Sequence, residues 1–111
     1  MTPDYEKKLD EFVEILLKED GSDLHLAENR QPIIRVAGFH IPLVKYATLS
    51  RVDIKNVLDI VLDEKKKESF LKDKEVDFAY DHKNNSRFRG NAFFQLGRIS
   101  IALRLIPKKI K

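Results

Sequence analysis

Residues 87–106 alternate apolar and polar side chains on both sides of one glycine, Gly97, and no other stretch constrains the fold so tightly. A period of two sends successive side chains to opposite faces of a strand. Leu96-Gly97-Arg98-Ile99 has glycine first in a two-residue loop, as a type II′ hairpin turn wants, which predicts Leu96 opposite Ile99. Phe94 then faces Ile101, Ala92 faces Leu103, Gly90 faces Leu105 and Phe88 faces Pro107, an apolar side throughout. The other side pairs Gln95 with Ser100, Phe93 with Ala102, Asn91 with Arg104 and Arg89 with Ile106, with Arg87 and Lys108 beyond. A one-residue slip would mix the two sets, so pattern and turn point to one register.

That register gathers Arg87, Arg89 and Arg104 with Asn91 on one face of one hairpin, and no carboxylate is among them. Three guanidinium groups on a rigid strand pair repel one another and are tolerated most easily beside an anionic partner. Arginine rather than lysine suits forked hydrogen bonding to phosphate or carboxylate. The plainer reading is a solvated sheet face whose charges are completed by acids from elsewhere in the fold. Pattern alone leaves both open.

The remaining elements follow from periodicity and punctuation. Residues 3–20 predict an amphipathic helix with Tyr5, Leu9, Phe12, Val13, Leu16 and Leu17 as its buried stripe, Pro3 in its first turn and Gly21 as its stop. A second helix starts at Ser50 with Asp53 three residues on, a variant of the capping box, and buries Ile54, Val57, Leu58, Val61 and Leu62. A third, about 64–72, carries Phe70 and Leu71 towards the core. Strands are expected at Asp23–Ala27, Ile33–Val36 and His40–Leu43, the last two a hairpin about Gly38. Three more follow at Val76–Asp81, Arg87–Leu96 and Ile99–Ile106, with turn chemistry at His82–Ser86 around Asn84-Asn85. This order is α+β with a largely antiparallel sheet.

Composition removes several functions. With 111 residues there is room for one domain and one core, and 42% apolar with 35% charged residues describes a globular chain. No cysteine means no disulfide, no thiolate catalysis and no cysteine-bound zinc. No apolar run approaches the roughly 18 residues of a membrane span, and the acidic, polar start is unlike a signal peptide, so a cytoplasmic protein is expected. The net charge of +3 is too small to argue for nucleic acid globally. No segment fits G-x-x-x-x-G-K-[ST], so the chain is not expected to cradle a triphosphate or to be an enzyme by itself. His25, His40 and His82 are far apart and lack ligand spacing, and read as ordinary strand or turn histidines. Ser22 and Asp23 beside His25 suggest a triad only until strand alternation separates neighbours. Residues 89–96 match half of an RNA-recognition signature, but Asn91 stands at the stacking position and Leu96 at the last aromatic, so nucleic acid ranks last among partners.

Two blocks resemble a known family. Gly21-Ser22-Asp23-Leu24-His25-Leu26, followed by Pro32, Arg35-Val36 and Gly38, resembles the G-S-D-L-H-L…P-P-x-x-R-V-D-G of secretion and pilus ATPases. Asp77-Phe78, then Arg87-Phe88-Arg89-x-Asn91-x-Phe93-x-Gln95 and Arg104-x-Ile106-Pro107, resembles the D-F…R-F-R-x-N-x-F-x-Q…R-x-I-P of the type IV pilus retraction ATPases, the PilT family. The match runs from about residue 5 to the end. The resemblance implies that residues 1–111 form one PAS-like N-terminal domain, with about six strands flanked by helices. In that family a RecA-like ATPase domain follows, which is absent from this chain, and six chains form a ring.

The resemblance further implies that this domain packs on the neighbouring chain's ATPase domain, with its arginines approaching nucleotide from across the interface. Arg87, Arg89, Arg104 and Asn91 are the candidates for that role. No cofactor is expected on this domain alone; ATP and magnesium belong to the parent motor, a homo-hexamer working with the pilus machinery at the cytoplasmic side of the inner membrane. The alternative is a stand-alone PAS-like module that binds a small anionic ligand or a protein. Leu24, Leu26, Phe78, Phe88 and Phe94 are expected in the core, and Asp23 and Asp77 to fix strand ends and turns. Three positions depart from the family pattern: Asn29-Arg30-Gln31-Pro32 for G-x-P-P, Ala37 before Gly38, and Gly90 for a β-branched residue, which should weaken its strand.

Overall fold

The computed structural model describes residues 4–83 and 86–107. Helix α1 (Tyr5–Lys18) is followed by strands β1 (Asp23–Ala27), β2 (Ile33–Val36) and β3 (Phe39–Pro42), helices α2 (Arg51–Val61) and α3 (Glu64–Asp73), and strands β4 (Glu75–His82), β5 (Ser86–Gln95) and β6 (Arg98–Leu105). All six strands join in one antiparallel sheet of order β3-β2-β1-β6-β5-β4. β6, last in the chain, therefore lies beside β1 at the centre. The fold is α+β, as the order of elements predicts.

The helices form where their ends are capped and one stripe is apolar. Asp4 caps α1 through the Lys7 amide; Pro3 and the Asn84-Asn85 turn lie outside the described residues. The α1 stop differs from expectation. Asp20, not Gly21, takes the left-handed backbone (φ 58°). Gly21 is needed for closeness instead, since a Cβ there would lie 2.5 Å from Leu16 and 3.0 Å from the Arg35 carbonyl. Ser50 and Asp53 form a full capping box on α2, and the Tyr5 hydroxyl donates to Asp53 at 2.9 Å, locking α1 to α2.

The helices bury their stripes against one face of the sheet, around Phe12, Leu16, Leu24, Leu26, Phe88 and Leu103. Phe94 only partly joins this core. Two expected core residues, Leu17 and Leu71, are exposed (44% and 63%), each at the flank of its helix's buried stripe. Phe78 is the direct partner of Gly90 on β4, and its ring occupies the space a side chain there would take. A Cβ on Gly90 would lie 2.2 Å from that ring.

The β5–β6 register differs from the sequence reading by two residues. Leu96 and Gly97 both have positive φ (52° and 77°), the mark of a type I′ turn centred on those two. Gln95 therefore faces Arg98, Phe94 faces Ile99, and Arg89 faces Arg104 directly. A two-residue shift leaves every side chain on its original face, so the apolar pattern cannot distinguish the two registers. The type I′ twist matches the hairpin, and leucine accepts the left-handed backbone at some cost.

Candidate functional site

The helices cover one face of the sheet and leave the other open. Arg87, Arg89 and Asn91 of β5 and Arg104 of β6 all point to that open face, as alternation requires. They are not free of carboxylates. Antiparallel neighbours supply one at each of three positions: Asp81 is the β4 partner of Arg87, Asp77 of Asn91, and Asp23 the β1 partner of Arg104. Arg87 Nε lies 2.8 Å from Asp81 Oδ1 and Arg104 Nε 3.1 Å from Asp23 Oδ2, while Asn91 Nδ2 donates to Asp77 Oδ1 at 2.7 Å. The hairpin alone contains no acid, and the flanking strands bring them.

Arg89 differs. Its direct partners are Ala79 and Arg104, and it makes no ion pair or side-chain hydrogen bond among the described residues. Both paired arginines are engaged through Nε and stay 66% exposed, so their terminal Nη groups still face water. The cluster of Arg87, Arg89 and Arg104 thus keeps three outward guanidinium groups, one unopposed and two held in orientation from behind.

Asp23 is the anchor of this group. Burial alone would raise its carboxyl, but the Ser22 hydroxyl at 2.6 Å and the Arg104 guanidinium more than offset it and hold it below the ordinary range. This fits the strand-fixing role expected for Asp23. Ser22 and Asp23 do touch, yet His25 joins no hydrogen bond with either among the described residues, so no triad forms. Asp81 is likewise lowered, first by its hydrogen bond from Arg87.

The histidines depart from their spacing. His25 on β1 and His40 on β3 meet on the open face with ring centroids 5.9 Å apart. No third metal-ligating side chain joins them among the described residues. Burial pushes the His25 imidazole below its ordinary value. His82 instead bridges α1 to β4, with Nε2 2.8 Å from Asp10 and Nδ1 3.0 Å from the Tyr80 hydroxyl.

Sequence reasoning missed Glu28 and Arg51. Buried Glu28 accepts from Arg51 Nε at 3.0 Å and from the Ile99 amide at 2.6 Å, and Arg51 also reaches the Gly97 carbonyl. Burial would raise the Glu28 carboxyl, but these donors hold it low. The first turn of α2 is thereby pinned to the tip of the β5–β6 hairpin. Nothing in local pattern marks a glutamate that pairs 23 residues away. Beside this tip, the open face sinks into a trough of about 700 Å³ lined by His25, His40, Phe93 and Arg98 among others.

No family model matches the chain. Among curated proteins it is 33% identical over 99 residues to the uncharacterized protein YggR of Escherichia coli K12, covering 89% of this chain and 29% of that protein. To the type IV pilus retraction ATPase PilT of Pseudomonas aeruginosa it is 29% identical over 100 residues, covering 90% and 29%. To the type IV pilus ATPase PilU of the same organism it is 26% identical over 103 residues, covering 93% and 27%. A crystal structure of the pilus retraction motor PilT with bound ADP superposes with a TM-score of 0.82 at 29% identity, over 91% of this chain and 29% of that one. The Legionella pneumophila ATPase DotB shares the fold, with a TM-score of 0.79 at 22% identity.

Sheet, helices and sequence thus align this chain with the N-terminal part of PilT-like ATPases, to which it is similar in both sequence and fold. It is homologous to the N-terminal part of PilT and PilU, and corresponds to the N-terminal domain of PilT-like pilus motor ATPases. It spans about 29% of the length of the curated relatives it matches.

Proposed function

We propose that this domain is the assembly and regulatory part of a hexameric type IV pilus motor. In this reading the half of its open sheet face that carries Arg87, Arg89 and Arg104, nearer β4, packs on the ATPase domain of the adjacent subunit. Arg89, with Arg87 and Arg104 beside it, is presented to the nucleotide that the neighbour holds, and Asn91 belongs to the same contact. Residues 1–111 supply no phosphate loop, so catalysis and the ATP and magnesium sites belong to the ATPase domain. The motor would work at the cytoplasmic side of the inner membrane; among the described residues no helix is long and apolar enough to cross one.

The observation that carries this reading is the pairing pattern. Three guanidinium groups share one face, and Asp81 and Asp23 orient two of them without occupying their outer nitrogens. Arg89 supplies an uncompensated charge between them. Such groups stabilise phosphoryl transfer where negative charge grows, at little cost in reorganisation.

In the intact motor, Arg89→Ala is expected to lower ATP turnover by about a hundredfold while nucleotide affinity changes little, with Arg104→Ala next in effect. Single-turnover hydrolysis set against nucleotide titration separates the two quantities. Unchanged turnover in both variants removes the arginine role and leaves a packing domain.

A further inference from the structure

The trough on the open face is built differently from the arginine cluster. Its floor lies along β6, where Ser100 and Ala102 carry small side chains. On either side stand larger rings, because His25 is the β1 partner of Ala102 and Phe93 the β5 partner of Ser100. Small residues flanked diagonally by two flat rings leave a shallow slot over the sheet.

The net charge at this slot is positive. Arg30, after β1, and Arg98, at the start of β6, both line it, and neither makes an ion pair or side-chain hydrogen bond among the described residues. The lone carboxylate in the lining is Glu28, whose oxygens are already taken by Arg51 and the Ile99 amide. Leu96 stands at the rim with 96% of its surface exposed and a backbone φ of 52°. A leucine there costs the fold twice, through exposure and through the left-handed backbone. An apolar body lying against it would recover the first of these costs.

We infer that this trough binds a small organic anion with a flat apolar body. The ring lies over Ser100 and Ala102 between His25 and Phe93, and the acid group meets Arg30 and Arg98. A volume of about 700 Å³ falls in the range of small-molecule sites, which combine apolar walls with a few placed polar groups. The lowered pKa of His25 leaves its ring uncharged at neutral pH, fit to stack and to offer one hydrogen bond. The site stands independently of the role proposed for Arg87, Arg89 and Arg104.

The test uses the ¹⁵N-labelled 111-residue chain and three probes: naphthalene-2-sulfonate, its neutral analogue 2-naphthalenemethanol, and inorganic phosphate. Naphthalene-2-sulfonate is expected to shift the amides of His25, Phe93, Ser100 and Ala102, and to bind at least tenfold more tightly than either of the others. Arg30→Ala with Arg98→Ala should weaken it tenfold or more, while Arg87→Ala leaves it unchanged. Both altered residues are exposed, and an unchanged thermal transition verifies that the double variant folds. Shifts confined to the exposed apolar residues Phe39 and Ile41, or equal affinity in the double variant, would overturn the proposal. So would a glutamate-rich peptide that shifts the trough amides where the sulfonate does not, since the trough would then dock a protein.

Discussion

The open face of the sheet has two arginine-bearing halves whose charges are treated differently. Towards β4 and the start of β1, Arg87 and Arg104 sit directly across from Asp81 and Asp23, and Asn91 across from Asp77. There the sheet's own register answers nearly every charge, and Arg89 is the exception. Towards the hairpin tip, Arg30 and Arg98 make no ion pair or side-chain hydrogen bond among the described residues, and the acid near Arg98, Glu28, bonds directly to Arg51 and the backbone instead. One half is arranged to hold side chains in orientation. The other is held from below and left open above. Equal residue types can therefore serve different ends, and cross-strand partners decide which.

That contrast breaks most readily at Glu28. Glu28→Ala strands the buried Ile99 amide and frees Arg51 from the hairpin tip, and is expected to cost about 2–3 kcal/mol. For a domain of this size that lowers the melting temperature by roughly 8–20 °C, read by calorimetry. A loss below about 0.5 kcal/mol would mean that the tip is not held from below.

The paired half is sharpened by Asp23→Asn, expected to cost about 1–2 kcal/mol at neutral pH. The folded Asp23 carboxyl is held below its ordinary value, so its contribution is fully present above the unfolded pKa of about 4 and is lost as pH falls through the folded value. Denaturant curves of the two proteins should converge in acid and stay parallel from pH 5 to 8. A gap that widens on acidification contradicts the pairing.

The smallest effect is expected at the rim. Leu96→Asn places a residue suited to the left-handed backbone in the type I′ turn and should stabilise the domain by about 0.5–1 kcal/mol. The same change should weaken naphthalene-2-sulfonate binding, because an apolar wall is gone. Stabilisation without loss of binding would show that Leu96 is a turn residue and nothing more.

Much of this is legible in the sequence. Alternation in β5 and β6 fixed which face each arginine takes, and capping chemistry at Ser50 fixed where α2 begins. The strand partners were not legible, for two physical reasons. Faces repeat every two residues, so choosing between Leu96-Gly97 and Gly97-Arg98 as the turn needed the backbone itself. The acids that answer Arg87 and Arg104 come from β4 and β1, and only the sheet order brings Asp23 beside a residue 81 positions away. The approach of His25 and His40 was hidden for the same reason, since only the pairing of β3 beside β2 sets the two rings near each other on one face.

Whether the arginines act across a subunit boundary is tested most directly by mixing two disabled forms of the intact motor. One carries Arg89→Ala; the other keeps its arginines but has the phosphate-loop lysine of its ATPase domain replaced by alanine. Mixed hexamers are predicted to regain turnover, because an intact arginine face then meets an intact nucleotide site on the adjacent chain. Mixtures as inactive as either parent, in rings shown to have exchanged subunits, would contradict the account.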